Sequence, residues 1–342
     1  MIREAIGALV NARRDLSEEE AGVVMDEVMS GEATSAQLAA FLVALRLKGE
    51  SVDEIVGMAR VMRRHSLRVE SGGPLLDTCG TGGDGSGSFN VSTAAAFVAA
   101  ACGARVAKHG NRAVTSGCGS ADVLEALGAK IELGPGQVCS CLEKVGFGFM
   151  FAPIFHPAMK FAAAPRREIG VRTAFNMLGP ITNPAGADAQ LVGVADPAMA
   201  EKMAQALARL GCRRALVVHG DGGMDELSLG SRSLVVELRD GKVHRFQLSP
   251  EELGLGSADR DEVRGGRPEE NAVAMRGVFA GKPGPRRDIV VLNAAAAIVA
   301  GDLAADLPSG VRSAAEAIDS GAVADKLESY VALTQSLAGA AQ

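Results

Sequence analysis

Residues 75–93 read LLDTCGTGGDGSGSFNVST. The apolar start predicts a strand, Gly80, Gly82, Gly83, Gly85 and Gly87 predict a loop, and the Ala-rich run from Ser92 predicts a helix. Glycines let backbone N–H groups turn toward a ligand, and a helix N-terminus adds partial positive charge, so the arrangement suits an anion. Asn90, Ser92 and Thr93 add hydrogen-bonding side chains where the helix begins. A tight turn with an N-cap would need fewer glycines. Gly80-x-Gly82-x-x-Gly85 matches the dinucleotide fingerprint by letter, but the acidic residue expected about 20 positions on, for a ribose hydroxyl, is absent from Ala99-Ala100-Ala101. No Gly-Lys-Ser/Thr closes the loop, which excludes a Walker A loop.

A second strand, predicted over 105–107, delivers Lys108-His109-Gly110-Asn111-Arg112, and Ser120 opens the next helix. Loops at the C-terminal ends of parallel strands share one edge. Lys108, Asn111 and Ser120 are therefore expected to face the same crevice as the glycine loop, where a cation and hydroxyls suit a polyphosphate. A strand over 215–218 leads through His219 to Met224-Asp225-Glu226. Adjacent carboxylates there can hold a hard cation such as Mg²⁺, which takes one or two carboxylates and completes its shell with water and phosphate oxygens. A solvated acidic turn is the plain alternative, and His219 reads as structural. Within residues 156–184, HPAMKFAAAPRREIGVRTAFNMLGPITNP, Arg166, Arg167 and Arg172 each offer a planar fork matched to a carboxylate. His156 fits either a substrate contact or a turn cap. Residues 176–184, with Pro180 and Pro184, read as a rigid connector.

The elements that must position these residues follow from caps and periodicity. Ser17-x-x-Glu20 and Ser51-x-x-Glu54 are capping boxes opening helices that run through Met29 and about Arg64. Leu38, Phe41, Leu42 and Leu45 lie at helical spacing, and Gly49 ends that run. These predict a helical domain over 1–70, with part of 160–182 returning to it. Its apolar faces suit self-association or packing on the rest of the chain. After Gly72-Gly73-Pro74, short strands at 75–76, 105–107, 148–151, 191–194, 215–218 and 289–292 alternate with helices at 92–101, 121–127, 198–210 and 293–300. That alternation predicts an α/β domain over 73–342, a mostly parallel sheet covered by helices. Strands at 234–238 and 243–248 flank Asp240-Gly241, a type I′ hairpin signal. The charged, Gly/Pro/Arg-rich stretch 255–287 reads as a surface excursion.

Composition narrows the function classes. The 342 residues carry a net charge of −6 with no long basic run, a poor match to duplex nucleic acid. Having no Trp and one Tyr, the chain offers no base-stacking platform. Six cysteines form no CxxC pair, so a zinc site is not expected and reduced thiols are. The N-terminus lacks a signal-peptide apolar region, and the longest apolar runs fall short of the about 20 residues that span a bilayer. The expectation is a cytoplasmic protein with neither membrane nor nucleic-acid partners.

The segments GTGGD and FNVST, KHGNRAVTSGCGSADVLEALG, HPAMK with RTAFNMLGPITNP, and GDGGMDE occur in that order. Together with GEATSAQLAAFLVALRLKGES near the N-terminus, they resemble the anthranilate phosphoribosyltransferase family over nearly the whole chain. The resemblance implies a fold of the nucleoside phosphorylase and phosphoribosyltransferase type, a hinge between the two domains, and a homodimer through the N-terminal helices. It implies transfer of the phosphoribosyl group of phosphoribosyl pyrophosphate to the amine of anthranilate in tryptophan biosynthesis, with Mg²⁺ as cofactor. It implies that Gly80, Gly83, Asp84, Ser88, Asn90, Val91, Ser92, Thr93, Lys108, Ser116 and Ser120 surround the donor. Gly80, His109, Asn111, His156 and Arg166 would surround anthranilate, and Ser92, Asp225 and Glu226 would bind magnesium. No nucleophile or general base is implied, since an arylamine is already nucleophilic. Three positions depart from the family pattern: Ser88 stands where Thr is frequent, Gly117-Cys118 replaces a more polar pair, and Ala164-Pro165-Arg166 replaces Pro-Val-Arg. A pyrimidine nucleoside phosphorylase would carry Lys-His-Ser directly before the glycine loop; Asp77-Thr78-Cys79 stands there instead.

Overall fold

The computed structural model describes residues 1–113 and 117–339. Four helices come first: α1 (Ile2–Asn11), α2 (Glu18–Met29), α3 (Ser35–Lys48) and α4 (Val52–Arg64). Reciprocal capping boxes at Ser17/Glu20, Thr34/Gln37 and Ser51/Glu54 start the last three, each satisfying orphan N–H groups of the first turn. Gly49 ends α3 with φ of 91°, a conformation open to glycine.

Strands and helices then alternate. β1 (Leu76–Gly80), α5 (Val91–Ala101), β2 (Val106–Gly110), α6 (Ser120–Ala126), α7 (Pro135–Lys144) and β3 (Phe147–Phe151) form the first half. The single turn α8 (Ala152–Phe155), α9 (Lys160–Ile169) and α10 (Ala174–Ile181) lead to β4 (Ala189–Gly193), α11 (Ala200–Arg209) and β5 (Arg214–His219). The hairpin β6 (Ser233–Arg239) and β7 (Lys242–Leu248) precedes α12 (Pro268–Phe279), α13 (Pro285–Ala300), α14 (Leu307–Asp319) and α15 (Ala322–Gly339).

The sheet order is β3-β2-β1-β4-β5-β6-β7. Its first five strands are parallel, and the hairpin adds two antiparallel ones. Asp240 and Gly241 both have positive φ, 51° and 75°, as a type I′ turn requires. Strand alternation divides the core. Leu191, Leu216 and Val218 face a cluster with α5, α13 and α15, while Val192, Ala215 and Val217 face a cluster shared with α1–α4, α10 and α11. Ala162 of α9 joins this second cluster. Among the described residues, no helix is long and apolar enough to cross a membrane.

Three expectations are corrected. Residues 289–292 are not a strand but the middle of α13, in which every residue from Ile289 to Ala300 is buried. A β-branched run buried on all sides has no stripe, so periodicity cannot separate it from a buried strand. The connector at 176–184 is largely helix, with Pro180 near the C-terminal end of α10, where it does little damage to the hydrogen-bond ladder. The stretch 255–287 is no free excursion. It contains α12, whose Met275 and Phe279 are buried, and a segment that packs on the glycine loop.

Candidate functional site

In an open parallel sheet, ligands lie outside the strand C-termini where the strand order reverses. Here that point is the gap between β1 and β4. Gly80 and Gly193 sit side by side at its edge. Both positions exclude a side chain because the 224–226 segment crosses directly over them. A Cβ on Gly193 would lie 1.5 Å from the Asp225 carbonyl oxygen, and one on Gly80 would lie 2.4 Å from the Asp225 carboxylate. Backbone cannot give way as a flexible side chain can. Gly193→Ala is therefore expected to push the carboxylate segment off the edge and weaken ligand binding there more than about tenfold, roughly 1.4 kcal/mol. Calorimetric titration checks this, and unchanged affinity would show that the segment relocates freely. Sequence reasoning misses Gly193, although a glycine closing an apolar strand is a signal for close backbone approach.

The glycine loop turns through Gly82, Gly83, Gly85 and Gly87, all with φ near +65°. The Gly82 N–H donates to the Asp225 carboxylate at 2.7 Å, and the Ser92 N–H, in the first turn of α5, donates to Glu226 Oε1 at 3.0 Å. Asp84 Oδ2 accepts from the Asp225 N–H at 3.4 Å, while Asp84 Oδ1 accepts from the Ser86 N–H at 3.0 Å. Asp84, Asp225, Glu226 and Ser92 thus gather at one place. Burial, reinforced by the neighbouring Asp84, pushes Asp225 up to about 7. Burial and Asp225 together push Glu226 well above the usual carboxylate range. Carboxyl groups crowded and buried in this way hold protons that a cation can displace, so the pair suits a cation. Among the described residues, no group of three or more His, Cys, Asp or Glu side chains is arranged to hold an ion unaided. A Mg²⁺ ion fits these carboxylates when water and substrate oxygens supply the rest of its shell.

Lys108 differs from expectation. It is only 2% exposed, with its ammonium donating to the Thr78 carbonyl beneath the loop instead of lying in an open crevice. Burial lowers its proton affinity, whereas the nearby Asp77 and Glu226 raise it. Asp77 is itself held by Asn183 Nδ2 at 2.7 Å and the His109 N–H at 3.2 Å, partners that the sequence did not announce.

The other expected residues line the same edge with different freedom. Ser88 Oγ accepts from Ser86 Oγ at 3.2 Å. Asn90 is engaged on both sides, donating to the Cys118 carbonyl at 3.1 Å and accepting from Asn271 Nδ2 at 2.9 Å. The Val91 side chain is core, so its part in a site is through the backbone. Thr93 is buried, and among the described residues its hydroxyl has no partner. Ser120 packs so tightly on Gly110 that a Cβ there would lie 2.2 Å from its hydroxyl oxygen, and Asn111 beside it is exposed. Ser116 lies outside the described residues.

His109 and His156 meet with ring centroids 4.9 Å apart, and each has a buried Nε2 with no hydrogen-bond partner among the described residues. Burial, together with His156, lowers His109 to about 3, and burial lowers His156 to about 4. Both are neutral acceptors when folded, whereas an unfolded His protonates near about 6.5. The unfolded chain therefore binds more protons as pH falls below that value, so the histidines' contribution to stability is full above it and lost toward pH 4. His156→Gln is expected to flatten the fall in Tm between about pH 7 and 5 relative to the unsubstituted chain. Parallel curves would mean that His156 takes up its proton equally in the folded and unfolded chain, so that burial does not lower its pKa.

The three arginine forks separate clearly. Arg172 is spent on the glycine loop, donating to Thr81 Oγ1 at 3.2 Å and to the Gly82 and Gly83 carbonyls at 2.9 and 3.4 Å. Arg167 is exposed. The Arg166 guanidinium stacks over Phe175 at 4.7 Å, and burial lowers its proton affinity. Among the described residues, no hydrogen bond or ion pair engages it.

A helical bundle, a parallel sheet with its switch-point crevice, and carboxylates beside a glycine loop define a two-domain glycosyl transferase. Residues 3–66 match the family described as "Glycosyl transferase family, helical bundle domain", and residues 72–324 match "Glycosyl transferase family, a/b domain". Among curated proteins, the anthranilate phosphoribosyltransferase of Chloroflexus aggregans is 56% identical, with 98% of each chain covered. The crystal structure of anthranilate phosphoribosyltransferase from Thermus thermophilus superposes with a TM-score of 0.92 at 49% identity, covering 98% of this chain and 99% of that one. The Saccharomyces cerevisiae enzyme in complex with PRPP and Mg gives 0.90 at 27% identity, with 98% of each chain covered. The chain belongs to the anthranilate phosphoribosyltransferase family.

Proposed function

We propose that this chain transfers the phosphoribosyl group of phosphoribosyl pyrophosphate to the amine of anthranilate, giving N-(5-phosphoribosyl)anthranilate and pyrophosphate. The observation that carries the reading is the meeting of the glycine loop, the Ser92 helix start and the Asp225–Glu226 pair at the β1–β4 switch point. The donor lies against Gly80, Gly83, Asp84, Ser88, Asn90, Val91, Ser92 and Thr93, with Lys108 beneath and Ser120 opposite; Ser116 joins them on the family resemblance alone. Ser92, Asp225 and Glu226 would hold Mg²⁺, with water and donor oxygens completing its shell. Anthranilate lies between Gly80, His109, Asn111, His156 and Arg166, with its carboxylate on the unused Arg166 fork.

The reaction makes a bond from the amine nitrogen to ribose C1 as the bond from C1 to the pyrophosphate oxygen breaks. The nitrogen loses one proton, and pyrophosphate departs with the electron pair. The arylamine needs little activation, so the demanding task is charge on the leaving group. Magnesium, when bound, stabilises that charge. Loop amides and the α5 N-terminus add fixed dipoles. Arg166 orients the acceptor, and the neutral histidines give the amine an apolar, acceptor-lined wall. Loss of anthranilate fluorescence that requires donor and Mg²⁺, with pyrophosphate released, is the expected result. Fluorescence unchanged while the donor still binds by calorimetry would keep the phosphate site and discard the acceptor.

The reading also places the enzyme in the cytoplasm, which agrees with its six free cysteines. It divides the chain into a helical domain over 1–70, to which part of 160–182 returns, and an α/β donor-binding domain over 73–342. It pairs two copies through the N-terminal helices, where Val10 on α1 and Val43 and Leu47 on α3 are exposed, Leu47 at 83%. A solution mass of 35.0 kDa, that of one chain, would overturn the pairing.

A further inference from the structure

We infer that Arg260 is a positioning residue for the donor loop, holding from behind the peptide that anchors Asp84. The inference rests on the proposed donor site and assigns it a support that no motif announces. Arg260 stands in a single turn, residues 260–263, opened by an Asp259/Glu262 capping box in which the Asp259 N–H donates to Glu262 at 2.9 Å. From there its planar guanidinium reaches three carbonyls. Nε donates to Ser86 at 3.1 Å, Nη1 donates to Gly222 at 3.3 Å, and Nη2 donates to Gly85. One side chain thus ties the glycine loop to the turn that leads into Asp225.

The peptide unit explains why this affects the ligand side. Carbonyl and N–H point in opposite directions across a trans peptide plane. With the Gly85 carbonyl on Arg260, the Ser86 N–H points the other way, onto Asp84 Oδ1 at 3.0 Å. Asp84 Oδ2 in turn accepts from the Asp225 N–H. The path runs from Arg260 through one peptide to the acidic group. Gly85, with φ of 65°, flanks that peptide and lets it reorient more freely than a residue with a Cβ would. A fork of donors supplies the missing constraint, as a lysine's point charge would not. Arg172 does the same for the Gly82 and Gly83 carbonyls at the other end of the loop.

The base of the loop is held independently. The Gly265 N–H donates to the Gly87 carbonyl at 2.8 Å, and the Phe89 N–H donates to the Val263 carbonyl at 3.1 Å. Removing the Arg260 side chain therefore frees the tip without detaching the loop.

The test compares the unsubstituted chain, Arg260→Ala and Arg260→Lys. Donor affinity is read by calorimetry without acceptor, both KM values by steady-state kinetics, and backbone order by amide hydrogen exchange. Arg260→Ala is expected to weaken donor binding and raise donor KM about tenfold, equivalent to about 1.4 kcal/mol. Anthranilate KM should stay within about twofold, a difference below about 0.4 kcal/mol. Amides of 83–88 should exchange faster in the free variant and regain protection with saturating donor, and Arg260→Lys should recover only part of the loss. Equal donor affinity and equal exchange in Arg260→Ala would overturn the inference, as would a matched rise in both KM values with a lowered Tm. If the unsubstituted chain binds no donor, the proposed function fails, and the donor role of Arg260 fails with it. Exchange in the free chains still reports separately whether Arg260 orders the loop.

Discussion

Replacing Asp225 with Asn, or Glu226 with Gln, is expected to lower kcat by ~10²-fold or more, the scale of removing one preorganised group that stabilises developing charge. The Mg²⁺ concentration needed for half-maximal rate should rise at the same time. Both substitutions keep shape, and the Asn oxygen can still accept from the Gly82 N–H that Asp225 now holds at 2.7 Å. What is lost is charge. In the folded chain both carboxylates have raised proton affinity through burial and through neighbouring acids, so their ionised forms cost stability. The sign follows: a group whose carboxylate pKa rises on folding destabilises the ionised protein above its unfolded pKa. Asp225→Asn should therefore raise Tm in the absence of divalent cation even as it slows the reaction. A slower yet more stable variant is the signature of a site that carries strain for function. Kinetics that stay unchanged across a magnesium titration would remove these residues from the metal site, and a lower Tm would mean that their charges are compensated in the fold.

The local part of this architecture was readable because local chemistry encodes it. Ser17-x-x-Glu20 and Ser51-x-x-Glu54 start helices where each capping box says they should, since side chain and backbone satisfy each other within four residues. Asp240-Gly241 reports its hairpin for the same reason. The glycine loop and the acidic pair announce themselves by composition. The rest depends on partners far away in sequence. Residues 289–292 look like a strand because Val and Ile suit a buried strand as well as a buried helix; a helix layer packed on the sheet decides between them. Lys108 reads as a crevice cation, yet Thr78 and Asp77 hold it under the loop. Arg260 is hidden in a stretch that reads as solvent-facing because its partners are carbonyls, which carry no residue identity. Gly193 is legible only in hindsight, since the atom that excludes its Cβ is the backbone oxygen of Asp225, 32 positions later.

The second large effect concerns the acceptor. Arg166→Ala is expected to raise anthranilate KM roughly 100-fold, about 2.7 kcal/mol, while donor KM moves little. The selectivity follows from where each arginine's donors go. Arg172 gives its donors to the glycine loop, so its removal would disturb the donor, and Arg167 lies in solvent, where an ion pair is worth little. Arg166 alone is stacked on Phe175, desolvated and, among the described residues, left without a protein acceptor. A desolvated guanidinium with a free fork gains more from a bidentate carboxylate than an exposed one does, because water no longer competes for its N–H groups. Arg166→Lys should recover only part of the loss, since an ammonium cannot present two parallel donors. An anthranilate analogue lacking the carboxylate supplies the complementary arm: it should be a poor substrate for the unsubstituted enzyme, and Arg166→Ala should scarcely worsen it. If the analogue suffers as much from the substitution as anthranilate does, Arg166 supports the fold of α9 and α10 and does not hold the carboxylate. If both KM values rise together, Arg166 is structural or Arg167 holds the carboxylate.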